Sequence, residues 1–124
     1  MNALQKFQEV AAQYRRHGWQ PARVLMSPPT LAQLRAQTPG AATAETAEFQ
    51  MLAVRESEVD ALWFTRPAQG GRSAWELRLV AEPPYALFEL FEPDEAEDER
   101  EDVRREMEAR LCDYARGEAR NDER

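Results

Sequence analysis

Residues 61–91 read ALWFTRPAQGGRSAWELRLVAEPPYALFELF, and this stretch decides the fold. It consists of apolar and aromatic runs separated by breaks that contain proline or glycine, a pattern typical of antiparallel strands joined by turns. Proline cannot donate a hydrogen bond to a β-ladder, so Pro83 and Pro84 are expected between two strands rather than within one. We therefore predict strands over residues 61–66, 74–80 and 85–91.

The sequence before this stretch predicts two helices and further strands. Apolar residues recur at helical spacing from Leu4 to Tyr14, and Gly18 follows as a helix-ending residue. Ser27 and Pro28 suit the cap and the first position of a second helix. We expect a small edge strand at residues 23–26, another strand at 49–54 and a loop at 38–47.

The sequence after this stretch predicts one long helix. Asp94 and Glu97 have the spacing of a capping box, in which side chains satisfy the first N–H groups of a helix. A narrow apolar stripe runs from Val103 to Leu111, and Gly117 is the expected end of the helix.

Together these elements predict an α+β fold. We expect an antiparallel sheet of three to four strands, with the N-terminal and C-terminal helices packed on one face. The chain has 124 residues, of which 43% are apolar, and this fits one domain. We place the domain at residues 1–117 and a frayed tail at residues 118–124.

The net charge of −7 lies entirely in the C-terminal quarter of the chain. Residues 1–91 carry nine acidic and nine basic residues, whereas residues 92–124 carry fourteen acidic residues and seven arginines. A surface of this kind repels nucleic acid and anionic membranes and favours basic partners. We therefore expect another protein as the partner, with no direct binding to nucleic acid or to a membrane.

The cysteine content and the hydropathy pattern suggest a cellular location. The single cysteine, Cys112, cannot form an intramolecular disulfide, which favours a reducing compartment. No run approaches the roughly 18 apolar residues that span a membrane, and the N-terminus does not have the pattern of a secretion signal. We expect a soluble, cytoplasmic protein.

The first candidate for a ligand or interface site lies on the predicted sheet. In the simplest register of the hairpins, the core face carries Leu62, Phe64, Trp75, Leu77, Ala86, Phe88 and Leu90. The opposite face then gathers the candidate residues Trp63, Glu76, Arg78, Tyr85 and Glu89. Glu76 would oppose Glu89, with Arg78 as the cation that relieves their repulsion. The alternative is an ordinary half-exposed sheet face, covered by a helix or by a second subunit.

The second candidate is an acidic docking surface formed by Asp94, Glu95, Glu97, Asp98 and Glu101. Such a surface would bind a basic partner protein. The alternative is a structural role, because acidic residues are favoured in the first turns of a helix and glutamates four positions before arginines stabilise exposed helices. The run also lacks the central glycine of a calcium-binding loop.

No sequence pattern predicts a catalytic residue, a metal site or a cofactor. The sequence has no cysteine and histidine cluster for zinc, no phosphate-binding glycine loop and no nucleophile elbow. His17 and Cys112 are the remaining candidates for a nucleophile and its base, but a free cysteine is usually buried as a small apolar residue. Enzymatic activity is therefore not favoured, although it is not excluded.

These observations favour a non-enzymatic protein-interaction module, such as an adaptor, regulator or inhibitor. Self-association as a homodimer is a variant of this hypothesis, because the second sheet face needs a cover. Two alternatives stay open. One is a small-ligand binder or small enzyme that uses the polar face of the sheet, and the other is an acidic mimic of nucleic acid.

Overall fold

A computed structural model describes residues 2–37 and 47–122. In chain order, the helices and strands are α1 (Ala3–Arg16), β1 (Gln20–Met26), α2 (Pro28–Gln37), β2 (Ala47–Phe49), β3 (Leu52–Glu56), β4 (Ala61–Pro67), β5 (Ser73–Leu79), β6 (Tyr85–Phe91) and α3 (Glu97–Asp122). The strands form one sheet in the order β2-β3-β1-β4-β5-β6. β1 and β3 are parallel, and the other neighbouring pairs are antiparallel.

The α+β class is confirmed, but the sheet is larger than the predicted three to four strands and is mixed rather than purely antiparallel. The predicted strand at residues 49–54 is a hairpin, in which β2 and β3 flank a turn at Gln50 and Met51, both with positive φ. Residues 23–26 belong to β1, which lies between β3 and β4 rather than at an edge. Most of the predicted loop, residues 38–46, lies outside the described residues.

The helices cover both faces of the sheet, so the prediction that they pack on one face is wrong. Successive residues of a strand point to opposite faces. In β4, Leu62 and Phe64 join α1 and α2 in one apolar core, whereas Ala61 and Trp63 join α3 in a second core. The central strands are therefore buried on both sides, and the molecule has three layers.

The N-terminal half follows the predicted helix boundaries closely. Asn2 and Gln5 form a reciprocal capping box at the start of α1, with hydrogen bonds of 3.0 and 2.9 Å. Gly18 follows the helix with a φ of +86°, a conformation that favours glycine. α2 begins at Pro28, and Asp60 fixes this end because its carboxylate accepts the Ser27 N–H at 2.8 Å.

The boundaries of α3 differ from the prediction. Residues 92–95 form a turn, in which the Glu95 carboxylate accepts the Glu92 N–H at 2.8 Å, and α3 begins only at Glu97. The predicted capping box at Asp94 is therefore wrong. Gly117 lies inside α3 rather than at its end. The division of the chain into a domain and a tail at residue 117 stays a prediction.

The helices lie over different parts of the sheet. On one face α1 packs against β1 and β4, and on the other face α3 packs against β5 and β6. On the face opposite α3, α1 still reaches β5 through the Tyr14–Glu76 hydrogen bond, whereas Phe88 and Leu90 of β6 are exposed. Candidate sites on these two strands have very different surroundings, depending on which face their side chains occupy.

Candidate functional site

The five residues predicted to share one sheet face are divided between both faces. Trp63 lies opposite Leu77 across β4 and β5, and Trp75 lies opposite Glu89 across β5 and β6. The residues on the α3 side are Trp63, Tyr85 and Glu89, and those on the α1 side are Glu76 and Arg78. The predicted register is wrong by one residue at β5, and such a slip moves every side chain of a strand to the other face. The expected Glu76–Glu89 pair therefore does not form.

Glu76 lies beside α1, where its carboxylate accepts a hydrogen bond from the Tyr14 hydroxyl. The Tyr14 ring stacks on Phe64 with the centroids 4.0 Å apart. Burial raises the pKa of the Tyr14 phenol above its ordinary value, and the hydrogen bond and charge of Glu76 raise it further. Arg78 acts in the opposite direction, while its guanidinium donates to the Leu79 carbonyl. A hollow of about 460 Å³ opens beside Tyr14 and Glu76.

The three predicted site residues on the α3 side make contacts within the chain. Trp63 is fully buried, and its indole N–H donates to Glu108 of α3 at 2.8 Å. Tyr85 stacks on a tyrosine of α3 with the centroids 3.7 Å apart. The Glu89 carboxylate accepts the N–H of Leu90 at 3.1 Å. These contacts give each residue a role in packing or in the local backbone.

A buried arginine, which no sequence pattern singled out, lies at the centre of the α3 side. Arg104 is 2% exposed, and its guanidinium carbon lies 4.3 Å from the ring centroid of Trp75 and 5.3 Å from that of Phe91. It donates to Glu97 at 2.9 Å and to Glu101 at 3.0 Å. A buried cation is costly unless it is paired. Arg104 therefore uses two acidic residues of α3 to attach the helix to the aromatic residues of the sheet.

Glu101 connects Arg104 to a second arginine. One guanidinium nitrogen of Arg23 donates to both carboxylate oxygens of Glu101, at 2.7 and 3.0 Å. Burial alone would raise the pKa of Glu101, but the hydrogen bonds from Arg23 and Arg104 outweigh it, so the pKa lies below its ordinary value. Glu101 is therefore held as a carboxylate between α3 and β1.

The predicted acidic docking surface lies at the start of α3 and in the turn before it. Glu97 and Glu101 pair with Arg104, and the Glu95 carboxylate accepts a backbone N–H in the turn. Asp94 and Asp98 are exposed, although Asp98 also accepts the N–H of its neighbour at 3.0 Å. Most of this surface thus has a structural role, and its binding to a basic partner stays a prediction.

The most exposed apolar surface of the sheet lies on the side of β6 that faces away from α3. We call Ala86, Phe88 and Leu90 the outer patch. Phe88 is 57% exposed and Leu90 is 38% exposed. The sequence placed all three residues in the core, and this is wrong. Both faces of the sequence YALFELF are largely apolar, so alternation alone could not indicate which face is covered.

Aromatic and basic side chains border the outer patch. The Trp19 ring meets Phe88 edge to face, with the centroids 6.4 Å apart. The Arg66 guanidinium lies 4.7 Å from the Trp19 ring centroid and donates to the His17 carbonyl at 3.1 Å. A hollow of about 750 Å³ lies between Arg66, Phe88 and Leu90. The patch is thus part of a concave, mostly apolar surface with a cation at its rim.

The remaining candidate pair, His17 and Cys112, lies on two different sides of the sheet, because His17 follows α1 and Cys112 belongs to α3. Burial raises the pKa of the Cys112 thiol, and the nearby Glu58 carboxylate acts in the same direction. Both effects disfavour the thiolate that nucleophilic chemistry requires. Cys112 is half-buried on α3, close to the second apolar core.

The residues that the structure describes include neither a cluster of metal ligands nor a helix that could cross a membrane. Among those residues, no group of three or more histidine, cysteine, aspartate or glutamate side chains is arranged to hold a metal ion. None of the helices that the structure describes combines the length and the apolar character needed to cross a membrane.

Comparisons with known proteins add no relative to this picture. No family model matches the sequence, and no match is found among curated proteins or among solved structures.

Proposed function

We propose that this protein is a non-enzymatic, cytoplasmic protein-interaction module that binds an extended segment of a partner along the outer side of β6. The exposure of Phe88 and Leu90 on the outermost strand of the sheet is the observation that carries this proposal. An extended segment placed there would add a strand to the sheet, and its apolar side chains would cover the outer patch.

The backbone of β6 supports this mode of binding. Among the described residues, no strand pairs with the outer side of β6. A strand in this position presents N–H and C=O groups that another chain can use. Proteins usually protect such edges with proline, lysine or very short strands, whereas β6 has seven residues, no proline and no lysine.

The side chains around β6 support the same mode. Apolar residues that lie singly on a surface need no explanation, whereas a contiguous patch beside a hollow is typical of an interaction site. Phe88, Leu90 and the edge of Trp19 form such a patch. Arg66 at the rim can donate to a carbonyl or a carboxylate of the partner.

The acidic surface of α3 supports a docking role less well. Glu97 and Glu101 already hold Arg104, and Glu101 also holds Arg23. A mimic of nucleic acid needs exposed carboxylates that follow one another without neutralising cations, and these pairs interrupt that arrangement. A basic partner that contacts Asp94 and Asp98 remains compatible with the proposal.

The test uses peptides selected from a random displayed library against the whole chain. We expect the selected peptides to bind in an extended form and to protect the backbone amides of Phe88 and Leu90 from hydrogen exchange. The variant Phe88→Lys should lose at least about tenfold in peptide affinity, because it removes apolar contact at the centre of the patch.

The matched control is Met51→Lys. Met51 is 94% exposed and lies in the turn between β2 and β3, far along the sheet order from β6. It makes the same exposed apolar-to-cation change and should leave peptide affinity unchanged. Peptides that bind Phe88→Lys as tightly as the unchanged chain, or that protect amides of α3 instead, would contradict the proposal.

A small-ligand site beside Tyr14 is a second candidate function. The hollow of about 460 Å³ has both apolar and polar lining groups, including the Glu76 carboxylate and the ring of Trp19. Such a mixture is typical of small-molecule sites. Fragment screening by NMR tests this site. Bound fragments should shift the resonances of Tyr14 and Glu76, and the variant Glu76→Gln should bind the same fragments more weakly. Fragment shifts confined to other regions would rule the site out.

A further inference from the structure

The geometry of β6 points to a second copy of this chain as the partner, paired strand to strand about Phe88 in an antiparallel homodimer. This inference rests on the proposed docking function of β6 and names its occupant. Three properties of the strand favour a second copy: the direction of its backbone groups, the central position of Phe88 among its seven residues and the position of its one carboxylate.

The outward backbone groups of β6 belong to the same residues as the outer patch. In an antiparallel ladder, the N–H and C=O groups of alternate residues point to opposite sides of the strand. The Leu90 N–H donates to the Glu89 side chain rather than to β5, which places the Leu90 backbone groups on the outer side. By the same alternation, the backbone groups of Ala86 and Phe88 also point outward, away from β5.

The strand is self-complementary about its middle residue. Tyr85–Phe91 has seven residues, and Phe88 is the fourth. If a two-fold axis passes through Phe88, the residue pairs are Phe88 with Phe88 of the second copy and Ala86 with Leu90 of the second copy. All of these residues have outward backbone groups, so the pairs would exchange about six hydrogen bonds, since each such pair exchanges two. Two of the six would be donated by the Leu90 N–H groups and would replace their bonds to Glu89. All seven residues of β6 would then lie opposite a residue of the second copy.

The same register suits the side chains. The exposed Phe88 rings would meet each other, and Leu90 would meet Ala86 of the second copy, so that both copies cover their outer patches together. Glu89 would lie opposite Leu87 of the second copy, where no like charge faces it. Moving the two-fold axis by one residue, from Phe88 to Glu89, would place Glu89 opposite Glu89 of the second copy, and these like charges are unfavourable.

The test is analytical ultracentrifugation of the full chain over a range of concentrations. We expect a reversible monomer–dimer equilibrium. Phe88→Lys and Phe88→Glu should each raise the dimer dissociation constant by at least about tenfold, because like charges then face each other on the axis. Met51→Lys, the control variant, should dimerise as the unchanged chain does. Circular dichroism should show that each variant stays folded, since Phe88 is largely exposed.

Mixing the two charged variants gives the decisive measurement. Lysine and glutamate would then face each other across the axis, so sedimentation of an equimolar mixture of Phe88→Lys and Phe88→Glu should show a heterodimer at a concentration at which each variant alone is monomeric. A chain that stays monomeric at every concentration, a dimer that is insensitive to Phe88→Lys, or a mixture without heterodimer would each overturn the inference. A monomeric chain whose β6 still binds the selected peptides would overturn the homodimer alone and leave the proposed function standing.

Discussion

Both faces of β5 and β6 carry apolar side chains, more of them on the α3 side, and the two faces differ greatly in burial. On the α3 side, Leu77 is fully buried and Phe91 is 1% exposed. On the other side, Phe88 is 57% exposed and Leu90 is 38% exposed. The strands and their pairing are common to both faces, so the difference comes from the helices that lie over them.

The difference in helix length and position accounts for the difference in burial. α3 has 26 residues and α1 has 14, which correspond to about 39 and 21 Å at 1.5 Å per residue. α3 packs against β5 and β6, whereas α1 packs against β1 and β4. The comparison shows that the apolar residues of these strands belong to a core only where a helix reaches them, and are otherwise exposed to solvent.

The largest expected effect on stability comes from truncating Leu77, a buried leucine on the α3 side of the sheet. Leu77→Ala should destabilise the protein by about 4 kcal/mol, because it leaves a cavity in a closely packed core. Leu90→Ala is the matched control and should stay within about 0.5 kcal/mol, as expected for an exposed site. Equilibrium urea unfolding of dilute protein measures both. Equal losses in the two variants would show that the faces do not differ as described.

A smaller loss of stability is expected from replacing Arg104, the buried arginine that attaches α3 to the side of the sheet that α3 covers. We call this side the covered face. Arg104→Ala should cost about 3 kcal/mol, because it removes the shared cation of Glu97 and Glu101 and opens a gap beside Trp75. Arg104→Met fills the same space and should stay within about 1 kcal/mol of the unchanged protein, since both carboxylates retain contact with water. Thermal and urea unfolding compare the two variants.

The two Arg104 variants separate packing from charge. If Arg104→Met is as unstable as Arg104→Ala, the ion pairs dominate the attachment of α3 rather than the contact with Trp75 and Phe91. If neither variant is destabilised, the covered face does not depend on this residue, and the contrast with the outer patch rests on the apolar residues of α3 alone.

Local sequence patterns predicted much of the secondary structure. The apolar periodicity of α1 and the glycine at Gly18 define that helix correctly, because both signals depend on neighbouring residues. The breaks at Gly70 and Pro83 also separate β4, β5 and β6 correctly. Features that depend on distant parts of the chain were not predictable in this way. The parallel pairing of β1 with β3 is one of them, because it needs a crossover through α2.

The candidate site depended on the register, which a local pattern does not determine. Residues 73–79 alternate clearly, with Trp75 and Leu77 on one face and Glu76 on the other. Their neighbours β4 and β6 are apolar on both faces, so either register looked acceptable from the sequence. The incorrect register placed Glu76 opposite Glu89, whereas Glu76 lies opposite Phe88 of the outer patch. Arg104 was missed for a related reason, since an arginine in a charged helix gives no sign that it lies under two aromatic rings.

The smallest expected effect concerns the pH dependence of the covered face. The pKa of Glu101 lies below its ordinary value of about 4.3 in the folded state. Its contribution to stability is therefore fully present above that ordinary value and is lost as the pH falls through the folded pKa. At neutral pH, Glu101→Gln should cost about 1 kcal/mol, the upper end for ion pairs in contact with water. This cost should shrink as the medium becomes acidic.

Urea unfolding at a series of pH values checks this prediction, and Glu106→Gln is its control because it makes the same change at an exposed position of α3. The control should stay within about 0.5 kcal/mol of the unchanged protein at neutral pH. A difference between Glu101→Gln and the unchanged protein that persists in acid would mean that shape rather than charge holds Glu101 to Arg23. The covered face would then depend on packing alone, and only its helix would distinguish it from the face that carries Phe88.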